Sequence, residues 1–171
     1  HGFPEFWYGW YGPMNALAEH YTVVVPDQRG YNLSDKPQAI EDYVIPKLVE
    51  DIKGLMEVVS PDKLAALAAH DWGGPIGWVV ANLYGDRIEK LIIVNGPHPN
   101  VFGRERANNP AQQEASGYMS FFRAPNSEDA LAANDFEMLQ GIFQDILTEE
   151  EMAIYKEAWG QPDALRSGLN W

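Results

Sequence analysis

One stretch limits the folds open to this chain more than any other. The apolar run "KLAALAAHD" (Lys63–Asp71) passes directly into "WGGPIGWVVANLYGD", whose apolar residues recur from Gly73 to Asp86. A short continuous apolar run, rather than an alternating one, is the pattern of a strand covered on both faces in a parallel sheet. Its alanines favour helix intrinsically. The second pattern starts with no linker between, which implies a strand, one sharp turn and a helix. Two further runs have the same shape, "YTVVVPD" (Tyr21–Asp27) and "KLIIVNGP" (Lys90–Pro97), and both read as buried strands. Between the first two strands, Ile45, Leu48, Val49, Ile52, Leu55, Met56 and Val59 recur at spacings of three and four, which predicts a helix with one apolar stripe. Strands alternating with helices argue for an α/β fold with right-handed crossovers.

The texture changes after Asn95. "NGPHPNVFGRERANNPAQ" is rich in Asn, Pro and Gly and reads as a connection leaving the sheet. Beyond it the patterns are helical. Thr148 with Glu151 matches a capping box, and Gly160 followed by Pro162 supplies a stop. The expected division is an α/β core over residues 1–99 and part of an all-α lid over 100–171.

Composition narrows the function. The formal net charge is −13, which disfavours nucleic acid and an anionic membrane surface as partners. No apolar run approaches a membrane span. There is no cysteine, so disulfides, thiolate catalysis and Cys-based metal sites are ruled out. The histidines (His1, His20, His70 and His98) are too scattered for a metal cluster, and no cofactor motif is present. Trp7, Tyr8, Trp10 and Tyr11 crowd the start, as residues of a core, an interface or an apolar pocket do.

The turn itself is Ala69-His70-Asp71-Trp72-Gly73, a nucleophile position flanked by small residues. A strained strand-to-helix turn needs small neighbours because backbones approach closely there. It also sets Asp71 beside a helix N-terminus, which favours an anion. Two readings stay open for Asp71: a carboxylate nucleophile, or a cap for the following helix. The opening "HGFP" (His1–Pro4) is a second tight turn in which Pro4 can be cis, and by itself it is an ordinary loop.

Taken together, these motifs resemble the epoxide hydrolases of the α/β-hydrolase fold, close relatives of the haloalkane dehalogenases. The resemblance rests on "HGFPEFWYGW", "VVVPDQRGYNLSDKP", "AHDWGGPIGW", "KLIIVNGPHPNVF", "YMSFFR" and "GLNW", in the family's order and nearly end to end. It implies an α/β-hydrolase core with a helical lid, Asp71 as nucleophile, and the backbone N–H groups of Phe3 and Trp72 as the oxyanion hole. It implies that Tyr118 is the first of two lid tyrosines that hydrogen-bond the epoxide oxygen; without the family, Tyr118 is an aromatic packing a lid helix. The substrate implied is a small apolar epoxide with water, with no metal or cofactor, in the cytoplasm.

An aspartate suits that chemistry. An epoxide carbon is sp³ and is opened by in-line displacement, and a carboxylate needs no base to become a nucleophile. The resulting ester supplies a carbonyl for water to attack, and the oxyanion hole serves that second step. The water needs a general base, and none of the four histidines fits. His70 should point away from its neighbour Asp71, His98 holds the "GPHPN" loop, His1 orients the oxyanion turn, and His20 ends a helical pattern. The resemblance thus leads one to expect a fragment, with the base, its acidic partner and the second lid tyrosine beyond Trp171. The strand preceding "HGFP" would also be missing, leaving Tyr21–Asp27 and Lys63–Asp71 facing a gap. A haloalkane dehalogenase is the nearest alternative, but Phe3 stands where those enzymes carry Asn, and Trp72 where fluoroacetate-type enzymes carry Arg. A non-catalytic fragment or binding module is the alternative from another class.

Overall fold

A computed structural model describes residues 1–171. In chain order the elements are α1 (Tyr11–Ala18), α2 (Ile45–Val59), β1 (Ala65–His70), α3 (Gly73–Leu83), β2 (Ile88–Val94), α4 (Pro99–Asn108), α5 (Pro110–Ala115), α6 (Tyr118–Phe122), α7 (Ser127–Phe143), α8 (Glu149–Trp159) and α9 (Ala164–Gly168). β1 and β2 pair in parallel, from Ala66 opposite Lys90 to His70 opposite Val94, with α3 as the crossover between them. No strand follows Val94.

The first apolar run departs from expectation. Tyr21–Asp27 joins no ladder, and it is not buried: Tyr21 is 63% and Val24 45% exposed. A strand needs a neighbour to receive its backbone groups, and neither β1 nor β2 lies beside it. Its ends are held by other means: the Tyr21 N–H donates to Leu17 O, and Asp27 Oδ1 accepts from the Trp7 N–H at 3.0 Å. The expected two-sided burial of the sheet is also not met. The α2 stripe and α3 cover β1 and β2 through Leu48, Val49, Ile76 and Val80, while Ile92 and Val94 remain close to half exposed. Val49 and Val80 are almost fully buried, and burial of such a side chain contributes about 1.5–3 kcal/mol.

A second core belongs to the helical half, and the aromatic start of the chain enters it. Phe6 packs edge-on against Tyr155 at 5.1 Å, in a buried cluster with Leu131, Leu139, Phe143 and Trp159. The Trp159 indole N–H donates to Pro4 O at 2.7 Å, so the opening loop is fastened to α8. α8 begins with the capping box: Thr148 Oγ1 accepts from the Glu151 N–H, and the Glu151 carboxylate accepts from the Thr148 N–H. It stops at Trp159, before Gly160. α7 is broken by left-handed backbone at Asn134, Asp135 and Phe136, where Asp135 pairs with Lys156 at 2.6 Å and Phe136 packs on Trp159. None of these helices is long and apolar enough to cross a membrane.

Candidate active site

The turn after β1 puts Asp71 at φ +51°, in the left-handed region. A non-glycine residue costs roughly 1–2 kcal/mol there, and Asp is among the side chains that tolerate it best. The turn is held from both sides: the Asp71 N–H donates to Val94 O at the end of β2, and the Gly74 N–H donates to Asp71 O. The Asp71 side chain does not cap α3, whose N-cap is Trp72 with no side-chain bond. Instead Asp71 Oδ1 accepts from the backbone N–H of Phe3 at 3.1 Å. Oδ2 accepts from nothing in the chain.

This approach requires glycine at position 2. A Cβ built on Gly2 would overlap Asp71 Oδ1 and stand 2.5 Å from the Trp72 N. The Trp72 backbone N, whose hydrogen has no acceptor within the chain, therefore lies beside Gly2 and close to Asp71 Oδ1. Position 73 is also tight, since a Cβ there would meet His1 O at 2.6 Å. The two turns are thus pressed together, backbone on backbone.

His1 is what orients the opening loop. Its Nε2 accepts from the Gln28 N–H at 3.0 Å, and Gln28 Nε2 donates to His1 O at 2.6 Å. An accepting Nε2 places the ring proton on Nδ1, which faces Gly2 O at 3.3 Å. The imidazole is buried and packs edge-on against Tyr31 at 4.7 Å. His70 turns to Glu5, with Nδ1 2.7 Å from Oε2. His98 caps α4, its Nδ1 accepting from the Asn100 N–H, and its ring packs against Trp78 at 5.2 Å. His20 follows α1 on the surface. Each histidine is occupied or remote, and none meets the Asp71 carboxylate.

Tyr118 opens α6 and is 46% exposed. Burial, followed by the charge of Asp71, pushes its hydroxyl above the usual tyrosine range, while Arg106 acts in the opposite sense. The ring packs edge-on against Phe122 at 5.3 Å, and Phe122 packs edge-on against Phe3 at 5.1 Å. Tyr118, Phe3, Trp72 and Asp71 therefore belong to one region although they lie far apart in sequence. Tyr31 also feels Asp71: burial and then that charge raise its hydroxyl well above normal, and the oxygen has no partner in the chain. No group of three or more His, Asp or Glu side chains is arranged to hold a metal.

Sequence reasoning passed over Glu5, Gln28, Tyr31 and Phe122. Glu5 is a lone acid inside an aromatic stretch, which is a faint signal for a buried partner. Gln28 and Phe122 carried none, because their contacts are made across 27 and 119 residues.

A tight elbow at the end of a parallel strand, leading directly into a helix and with the Phe3 N–H donating to the carboxylate at its tip, is the arrangement of an α/β hydrolase. The alpha/beta hydrolase fold family model matches residues 1–163, and the chain belongs to that family. It is 43% identical to the AB hydrolase superfamily protein YfhM of Bacillus subtilis, over all of this chain and 62% of that protein. It is 38% identical to Epoxide hydrolase 4 of Mus musculus, over 99% of this chain and 50% of that protein. Among solved structures, an epoxide hydrolase of Bacillus megaterium in complex with an inhibitor superposes with a TM-score of 0.91 at 36% identity. That superposition covers 99% of this chain and 63% of the other. The chain spans about half to three-fifths of the length of these relatives.

Proposed function

We propose that this chain belongs to an enzyme that opens small apolar epoxides to vicinal diols through an alkyl ester on Asp71. The observation that carries the reading is the hydrogen bond from the Phe3 N–H to Asp71 Oδ1, which leaves Oδ2 without a partner. Oδ2 is the attacking oxygen. It forms a bond to an epoxide carbon, the carbon–oxygen bond of the ring breaks, and the electron pair passes to the epoxide oxygen. Tyr118 supplies the proton to that oxygen. Oδ1 becomes the carbonyl oxygen of the ester, already lying at the Phe3 N–H and close to the Trp72 N, whose hydrogen is the second donor in this reading. When water attacks the ester carbon, negative charge develops on Oδ1, where preorganised donors stabilise it most. The acyl–oxygen bond then breaks and the departing alkoxide takes the proton of the acid left behind, releasing the diol and restoring the carboxylate; the proton given up by the attacking water offsets the one lost by Tyr118.

The aromatic surroundings of Asp71 (Phe3, Trp72 and Phe102) support an apolar substrate. Several relatives named as epoxide hydrolases support the reaction class. In this reading residues 1–99 are the core and 100–171 form part of a helical lid that carries the acid. The enzyme needs no cofactor and works in the cytoplasm on epoxide and water, without nucleic acid or membrane. No general base for the water is assigned among His1, His20, His70 and His98, so the step assigned to residues of this chain is the first, formation of the ester. The test is to incubate the purified protein with styrene oxide and measure its intact mass. A gain of one epoxide mass, mapped to Asp71 and absent in Asp71→Asn, is expected. An unmodified, folded protein that also forms no diol overturns the reading.

A further inference from the structure

α6 is five residues long, and its first and last side chains touch each other. Phe122, the last, stands between two parts of the site. One edge contact reaches Tyr118 with ring centroids 5.3 Å apart at 70°, and the other reaches Phe3 at 5.1 Å and 72°. Phe3 is the residue whose N–H holds Asp71 Oδ1. A single ring therefore connects the side chain that carries the lid hydroxyl to the loop that fixes the carboxylate.

The two ends of that connection are held very differently. The backbone of Phe122 is pinned, since its carbonyl accepts from Ser127 Oγ at 2.9 Å and Ser127 is buried. Phe121 packs against the same ring at 5.9 Å. Tyr118 has no such support. It is close to half exposed, its hydroxyl makes no hydrogen bond within the chain, and Phe122 is its only aromatic neighbour. The direction in which Tyr118 presents its hydroxyl thus depends on the ring beneath it.

We propose that Phe122 is a positioning residue, setting the distance of the Tyr118 hydroxyl from Asp71 and acting on the alkylation step through Tyr118. The proposal rests on the assignment of Asp71 and Tyr118 made above. It separates alkylations that need a proton from those that do not. Epoxide opening needs the Tyr118 proton on the departing oxygen. Phenacyl bromide, similar in shape to styrene oxide, alkylates a carboxylate by breaking a carbon–bromine bond, and bromide leaves without a proton.

The experiment measures the rate of Asp71 adduct formation by intact mass, with both reagents, in the parent protein and in Phe122→Ala, Phe122→Tyr, Tyr118→Phe and the Phe122→Ala/Tyr118→Phe double variant. A misplacement of the acid by about 1 Å is expected to slow styrene oxide alkylation in Phe122→Ala by roughly 10–100-fold. Phe122→Tyr keeps the ring and restores the rate. Phenacyl bromide should react with Phe122→Ala at nearly the parent rate. In the Tyr118→Phe background, removal of Phe122 should cost nothing further, which is the signature of one residue acting through another. Equal slowing with both reagents, equal slowing in both backgrounds, or no slowing at all overturns the proposal. A parent protein that forms no adduct with styrene oxide overturns the underlying assignment instead, and the proposal with it.

Discussion

Adding one carbon to Gly2 strikes at the contact on which the account depends. The Cβ of Gly2→Ala would overlap Asp71 Oδ1, stand 2.5 Å from the Trp72 N and 2.6 Å from Asp71 Cβ. Non-bonded carbon atoms rest about 3.5–4.0 Å apart, so the loop and the elbow must separate by roughly 1 Å. Neither side yields freely. The loop is fastened by Gln28 to His1 and by Trp159 to Pro4, and the elbow by its bonds to Val94 and Gly74. The softest motion is rotation of the Asp71 side chain away from the Phe3 N–H. That gives up a charge-assisted hydrogen bond contributing about 1.5–3 kcal/mol. A carboxylate misplaced by about 1 Å loses on the order of 10²-fold in rate, equivalent to about 2.7 kcal/mol of barrier. The assay is the rate of styrene oxide adduct formation, with melting followed by circular dichroism. Gly2→Ala that melts as the parent does and reacts within about threefold of its rate refutes the reasoning, because that difference is under 1 kcal/mol.

Four other outcomes follow from the same geometry. Tyr118 transfers a proton only in its neutral form, and burial with the Asp71 charge raises its hydroxyl; alkylation should hold its rate to at least about pH 10 and fall above it, and a decline starting near pH 8 in a pH–rate profile counts against Tyr118. Glu5→Ala leaves His70 Nδ1 without its 2.7 Å partner, and the pair is partly exposed, so a loss of about 1 kcal/mol is expected in urea unfolding. Gly77→Ala drives a Cβ to 2.9 Å from Ala69 Cβ and 3.2 Å from Ile93 Cδ1, between α3 and the sheet, and should destabilise by about 1–3 kcal/mol. Thr148→Ala removes the α8 cap and should cost about 1 kcal/mol by the same measurement, without altering adduct formation.

What was legible in the sequence is what depends on neighbours along the chain. The strand, elbow and helix around Asp71, the α2 stripe and the Thr148–Glu151 cap are each written within a few residues, and each appears. The opening HGFP turn drew its expected role as an oxyanion loop only from its family context; its residues alone read as an ordinary loop. The distance that matters, Phe3 N–H to Asp71 Oδ1, spans 68 positions. Tyr21–Asp27 was misread for a physical reason: apolar β-branched residues make a segment extended, but only a flanking strand makes it part of a sheet. The histidines illustrate the same boundary. Motif position argued correctly that His70 turns from Asp71, yet nothing local marked Glu5, 65 residues away, as its partner. Phe122, quoted only within YMSFFR, drew no reading of its own because its contact with Phe3 spans 119 positions.

The most direct measurement is the mass and position of the covalent product after a rapidly quenched reaction with an epoxide. The account predicts one epoxide added to Asp71 and none in Asp71→Asn. An adduct on any other residue, or none in a folded protein that also makes no diol, contradicts the claim that Asp71 is the nucleophile.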